Sequence, residues 1–380
     1  GPFAGTLLAD MGADVIKIEP PKGDMARATP PKRNGESVSF MALNRNKRSL
    51  VLDLKQPEAR EALLKLAATS DAVIEAYRPG ALEKMGLGAE AMKAVNPKIV
   101  YAAVSGFGQT GPYRRRAGVN LIAEAFSGVL SVNGHPGEMP LRPGVQTADV
   151  FGAMFTTYPV LCGLIGAARL GEGRVADISL VESSIAAAAW EAAEYLETNK
   201  VPQPMGNKHR LTAPYQLFET KDERYVAIGA PNDALFQQMM IALGLPEVGA
   251  DQRFAAYAAR KTNEDALLAI VEPKVRTMTC AEVEARLLEV GVPSARANTF
   301  EEVFADPHMI ERGMVHEVDH PALGRIRVAR NPVLFDHGGP GAPQPAPVLG
   351  QHSAEILASI GYSDTRIAEL VAVGATRLVN

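Results

Sequence analysis

The chain has 380 residues, 47% hydrophobic and 22% charged, with a formal net charge of −4. That content supports a large core, in two domains or in one large and one small. The near-neutral charge leaves no electrostatic footprint for nucleic acid, no apolar run reads as long enough to span a membrane, and Cys162 and Cys280 stand too far apart in sequence for a disulfide framework or a paired-thiol metal site. Such cysteine usage fits a reducing, cytoplasmic setting.

Gly1-Pro2 opens a helix well, and Gly12 closes it. Residues 13–18 read as a buried strand. A helix in that place is normally fed by a strand, so a strand with its lead-in, roughly twenty residues, is expected upstream of Gly1. Residues 48–54 are strand-like, and residues 57–69 form an amphipathic helix with Ala59, Leu63, Leu64 and Leu66 on its apolar side. A strand over 72–74, a helix starting at Pro79 and a strand over 99–104 follow. This rhythm predicts a mostly parallel sheet with helices on both faces.

Gln146-Thr147-Ala148-Asp149 ends a polar turn ahead of an apolar helix. Asp149 is read locally either as a helix cap or as a carboxylate kept ionised by the helix dipole, a candidate nucleophile. Pro159 should kink or end that helix. A glycine turn around Gly171 and Gly173, a strand, and a helix over 182–199 come next, broken by Pro202 and Pro204. A smaller unit holds a strand over 225–229 and helices over 233–243, 263–278 and 281–290, with residues 292–296 leading out. Short strands, such as 325–328, a Gly/Pro-rich loop over 338–347 and two helices complete the chain.

Two motif matches fail on context. Gly106-Phe107-Gly108-Gln109-Thr110-Gly111 has the dinucleotide-fingerprint spacing, but Pro112 and Tyr113-Arg114-Arg115-Arg116 follow where a helix is required. It reads better as a glycine loop beside a basic cluster, suited to an anionic ligand. His316-Glu317-Val318-Asp319-His320 has zinc-protease spacing, which works only on a helix. Gly313, Pro321 and the valines make this a strand, on which the histidines would stand about 13 Å apart. No metal site is predicted.

Several segments together resemble the class III CoA-transferases, the group of formyl-CoA transferase, carnitine CoA-transferase and α-methylacyl-CoA racemase. They run in order from Leu8-Ala9-Asp10-Met11-Gly12-Ala13-Asp14 and Lys17-Ile18-Glu19-Pro20 through Asn44-Arg45-Asn46-Lys47-Arg48-Ser49 and Leu52-Asp53-Leu54-Lys55. Tyr77-Arg78-Pro79-Gly80, Ser105-Gly106-Phe107-Gly108-Gln109, Ser127-Gly128, Asp149, Gly173-Arg174 and Leu349-Gly350-Gln351-His352 continue the match. The resemblance implies that Asp149 carries acyl and CoA groups, and that CoA is contacted by Leu52, Asp53, Leu54 and Lys55, by Ala76, Tyr77 and Arg78, by Lys84, and by Arg116, Ala117, Gly118 and Val119. Lys55, Arg78, Lys84 and Arg116 have the chemistry to pair with phosphates. Acyl-CoA and a free carboxylic acid are the implied substrates, with no tightly bound cofactor, and an interlocked homodimer is the implied partner arrangement.

The chain departs from the family in places. Part of the family's CoA contact set falls before Gly1. The racemase branch places a histidine acid/base where this chain has Val119, which cannot move a proton. Met205-Gly206-Asn207 is the nearest candidate for the glycine-rich loop some transferases carry, and Asn207, His209 and Arg210 are either acceptor-binding or linker surface residues. The expected architecture is α/β: a doubly wound, Rossmann-like large domain over 1–185, a linker over 186–215, a small α+β domain over 216–313, and a return linker over 314–380 that completes the large domain. The expected activity is CoA transfer through a covalent aspartyl intermediate; an acyl-CoA racemase or epimerase and a non-catalytic CoA-binding protein are the alternatives.

Overall fold

Apolar strands of the βαβ rhythm build two parallel ladders. A computed structural model of the protein describes residues 1–336 and 343–379; residues 338–342 of the expected Gly/Pro loop lie outside them. The first part of the chain runs α1 (Pro2–Asp10), β1 (Val15–Glu19), β2 (Lys47–Val51), α2 (Pro57–Ala68), β3 (Ala72–Glu75), β4 (Val100–Ser105), α3 (Asn120–Phe126), α4 (Thr147–Leu170), β5 (Val175–Ser179), α5 (Leu180–Ala187) and α6 (Ala189–Thr198). β1 pairs in parallel with β2, Val15 opposite Lys47. β4 lies between β3 and β5, both parallel to it, with Tyr101 opposite Val73 and Val175. Val100 to Val104 are buried without a break, as expected of a parallel strand covered on both faces.

The chain divides into two compact units. The first comprises Gly1–Val129, Pro143–Asn199 and Pro307–Asn380; the second comprises Leu130–Arg142 and Lys200–Asp306. In the first, the helices Ser353–Ser359 and Asp364–Ala372 return to β2, where Leu50 and Leu52 share a core with Ile356, Leu357, Ile367 and Leu370. In the second, β6 (Tyr215–Glu219), β7 (Tyr225–Gly229) and β8 (Ser294–Arg296) form an antiparallel sheet in the order β8-β7-β6. Helices α7 (Asp233–Ala242), α8 (Glu264–Val275) and α9 (Cys280–Glu289) belong to the same unit. Phe236, Val271 and Leu287 from these helices join Phe218 and Ile228 in one core.

Four expectations need correction. The helix expected over 182–199 is two helices, α5 and α6, divided at Ala188. Residues 189–198 of the expected linker are helical and fold with the first unit. Pro159 does not end α4, which runs unbroken for 24 residues. That helix is therefore long and apolar enough to cross a membrane by composition, with a mean hydropathy of 1.6, although the sequence reading found no such run. One face of α4 is instead buried in the protein, through Gly152, Ala153, Thr156, Val160, Gly163 and Ala167. His316 and His320 do lie on a strand, β9 (Val315–His320), opposite Val328 and Gly324 of β10 (Gly324–Ala329).

Small residues set how closely α4 approaches the sheet. A Cβ on Gly163 would stand 2.8 Å from Val100 Cγ1, and one on Gly173, in the turn that feeds β5, 1.9 Å from the Ile99 carbonyl oxygen. Gly173→Ala is expected to destabilise the protein by about 1–3 kcal/mol, because the obstacle is backbone that cannot swing aside. A denaturant midpoint equal to that of the parent chain would contradict this packing.

Candidate active site

The first turn of α4 leaves backbone N–H groups without helical partners. Gln146 stands at the cap position and makes no side-chain cap bond, so Asp149 is the third residue of the helix and not its cap. The missing partners come from α3. Asn120 and Glu124 are four residues apart, one helical turn, and so share a face. Glu124 Oε1 accepts hydrogen bonds from both the Thr147 N–H, at 3.1 Å, and the Thr147 hydroxyl. Asn120 Oδ1 accepts from the Asp149 N–H at 3.2 Å. Glu124 is fully buried and Asn120 nearly so, while the Asp149 residue itself is exposed.

Helix-dipole reasoning expects Asp149 to be held in its ionised form. The surroundings act the other way. Desolvation pushes its pKa above the ordinary aspartate value, and the charge of Glu124 adds to it. A raised pKa makes the carboxylate a better base and nucleophile once ionised.

The residues expected to contact CoA follow the carboxyl ends of parallel strands, where ligands gather in such sheets. Leu52, Asp53, Leu54 and Lys55 follow β2: Leu52 is buried and Lys55 exposed. Asp53 accepts from the Lys55 N–H and donates its own N–H to the Ala375 carbonyl, so this turn is tied to the C-terminal segment. Ala76, Tyr77 and Arg78 are exposed directly after β3, and Lys84 is exposed at the end of the short helix Ala81–Lys84. Arg116, Ala117 and Val119 are exposed ahead of α3, with Gly118 half-buried between them. A Cβ on Gly118 would meet Gly106 Cα at 2.7 Å, so this segment crosses the post-β4 loop backbone to backbone. That loop leads to no helix before Asn120, and Asp177 accepts the Gln109 N–H. The Arg116 guanidinium lies 5.3 to 5.7 Å from the rings of Phe107, Phe126 and Tyr113, within cation–π range.

Gly1, which opens α1, lies with its Cα facing Ala76. Glu75, unremarked in the sequence, ends β3 with its carboxylate accepting the Tyr77 N–H at 2.7 Å. Burial pushes its pKa up to about 7. Asn120, Glu124 and Thr147 were also missed; the four-residue spacing of the first two on a short helix was the available signal.

The second unit holds the remaining candidates. Asn207 lines a cavity of about 510 Å³ with Met205, Gly206 and Lys208. The cavity's lysines are both paired, Lys208 with Asp265 and Lys261 with Glu264. His209 Nδ1 accepts the N–H groups of Leu211 and Thr212, and Arg210 donates to the Gln203 carbonyl. Among the described residues, no group of three or more His, Cys, Asp or Glu side chains is placed to hold a metal.

The family model described as CoA-transferase family III matches residues 1–353. The chain belongs to this family. Among its relatives is the succinyl-CoA–D-citramalate CoA-transferase of Chloroflexus aurantiacus, 36% identical over 98% of this chain and 93% of the relative. The succinyl-CoA:glutarate CoA-transferase of Homo sapiens is 35% identical over 98% of this chain and 86% of its own length. A CAIB/BAIF family protein from Brucella suis superimposes with a TM-score of 0.83 at 36% identity, covering 94% of this chain and 95% of that one. The protein is thus a class III CoA-transferase enzyme, with the mixed α/β fold and parallel sheets of its structural neighbours.

Asn120→Ala removes the acceptor for the Asp149 N–H. It is expected to cost about 1 kcal/mol of stability, the usual net worth of one such bond. Chemical denaturation measures it, and an unchanged unfolding free energy would show that α3 does not hold this turn.

Proposed function

We propose that this class III CoA-transferase moves CoA from succinyl-CoA or a similar acyl-CoA to a free carboxylic acid through Asp149. The observation that carries this reading is a partly desolvated carboxylate, on an exposed residue of a helix turn whose backbone is held from α3. The donor and acceptor classes follow the names of the relatives. Asp149 attacks the thioester carbonyl, forming a mixed anhydride and releasing CoA thiolate. The thiolate attacks the aspartyl carbonyl, the donor acid leaves with an oxygen from Asp149, and an aspartyl–CoA thioester remains. The acceptor carboxylate attacks that thioester, CoA thiolate leaves, and the thiolate then takes the acceptor acyl group, restoring Asp149. One hard exchange becomes a series of easier ones. Racemisation would need a second acid/base beside Asp149, and Val119 supplies none.

The loops after β2 and β3 and the 116–119 segment serve as the CoA surface in this reading, on one doubly wound domain. A second copy of the chain is the proposed partner. Its support is the apolar exposed side of α4, where Val150, Met154, Tyr158, Leu161 and Ile165 recur at helical spacing, and Trp190 and Leu196 on α6. Sedimentation equilibrium is expected to give twice the chain mass; a monomer at micromolar concentration would contradict the partner.

Asp149→Ala is expected to remove CoA exchange between succinyl-CoA and glutarate while leaving the unfolding midpoint nearly unchanged, since no cap bond is lost. Exchange at the parental rate would end the aspartyl mechanism. In the parent enzyme, exchange should fall as pH drops through the raised Asp149 pKa, because protonation removes the nucleophile. The acid limb should therefore lie above the ordinary aspartate range, and a flat profile down to pH 4 would be the contrary result. Lys55→Ala and Arg78→Ala should raise the KM for acyl-CoA with kcat little changed, the signature of uniform binding. Unaltered KM in both would displace the CoA surface.

A further inference from the structure

Glu124 is a buried carboxylate that the exchange chemistry does not use. Its side chain comes from α3, yet both bonds to its Oε1 are donated by Thr147, the first residue of α4. Glu124 Oε2 is buried without a hydrogen-bond partner, as is Asn120 Nδ2 one turn earlier. Gln146 supplies no cap to α4, so the tie from Glu124 does a cap's work from a neighbouring helix. Asp149 is two residues beyond the tied threonine.

We propose that Glu124 is a positioning residue for Asp149: through Thr147 it fixes the first turn of α4, and its carboxylate lies against that same turn. This rests on the reading of Asp149 as nucleophile. A fixed turn presents the carboxylate to the thioester carbonyl in one orientation, which favours attack over mere binding. The charge favours the protonated form of Asp149 and so raises its basicity.

Other charges near Asp149 are limited. Of the other titratable groups on elements packed against α4, Asp10 of α1 is paired with Arg45, and Asp177 of β5 takes the Gln109 N–H. Tyr101 of β4 is buried, and Glu182 lies in the first turn of α5.

The test follows covalent adduct formation on the full-length dimer or monomer as purified, mixed rapidly with succinyl-CoA and read by intact mass across pH. Thr147→Val removes the hydroxyl donor and keeps the charge. It should slow adduct formation at saturating succinyl-CoA about fivefold, with the half-saturating concentration and the acid limb unmoved, and Thr147→Ser should restore the rate. Glu124→Gln keeps an oxygen acceptor for Thr147 and removes the charge. It should move the acid limb to lower pH. A merely structural glutamate would leave the limb where it was. Parental behaviour of T147V overturns the proposal even if E124Q does not fold, and an unmoved limb in folded E124Q overturns it as well. Asp149→Asn runs in parallel. If the parent forms no adduct that D149N lacks, the nucleophile reading fails and this proposal with it; an adduct in the parent beside unaltered T147V or E124Q fails this proposal alone.

Discussion

The close approach of α4 to β4 is the constraint on which the first unit depends. Gly163 lies where any side chain would strike Val100, and Gly173 lets the return turn pass against the Ile99 carbonyl. The first turn of α4 lies beyond the carboxyl end of β4, where Ala148 shares a small core with Phe107 and Val181. Asp149 reaches that end because it is the third residue of α4.

At that end two electrostatic effects compete. A helix N-terminus favours a negative side chain by a fraction of a kcal/mol to about 2 kcal/mol. Desolvation and the neighbouring Glu124 charge oppose it, and the balance falls towards a raised pKa. In the proposed role this shift is useful, because the ionised group is more basic than a fully solvated aspartate. The hydrogen bonds from α3 meanwhile occupy the Thr147 and Asp149 N–H groups, so this helix end is tied to a neighbouring helix.

Much of the architecture was legible in the sequence. The strands at residues 15–19, 72–75 and 100–105 follow from short β-rich runs between helical periods, and the position of Asp149 in the first turn of a helix follows from the polar turn before it. Other features were not legible. Pro159 was read as a break because a lone proline costs a hydrogen bond, but flanking packing of small residues on β4 carries the helix through. The division at Ala188 had no glycine or proline to announce it. Leu130–Arg142 fold with the second unit although they lie far in sequence from its remainder, a long-range association that local patterns cannot report. The Glu124–Thr147 tie spans 23 residues and joins two helices, so only the fold brings it together.

The proposed exchange chemistry makes one demand that binding or proton transfer does not: an oxygen of the acceptor carboxylate must end on the side chain of Asp149. Turnover with succinyl-CoA and glutarate labelled with oxygen-18 in both carboxylates, followed by mass analysis of the peptide containing Asp149, measures that transfer directly. The account predicts heavy oxygen in the Asp149 carboxylate after one exchange. Labelled glutaryl-CoA formed while that peptide stays unlabelled would contradict it, because CoA would then have passed between the acids without using the enzyme's carboxylate.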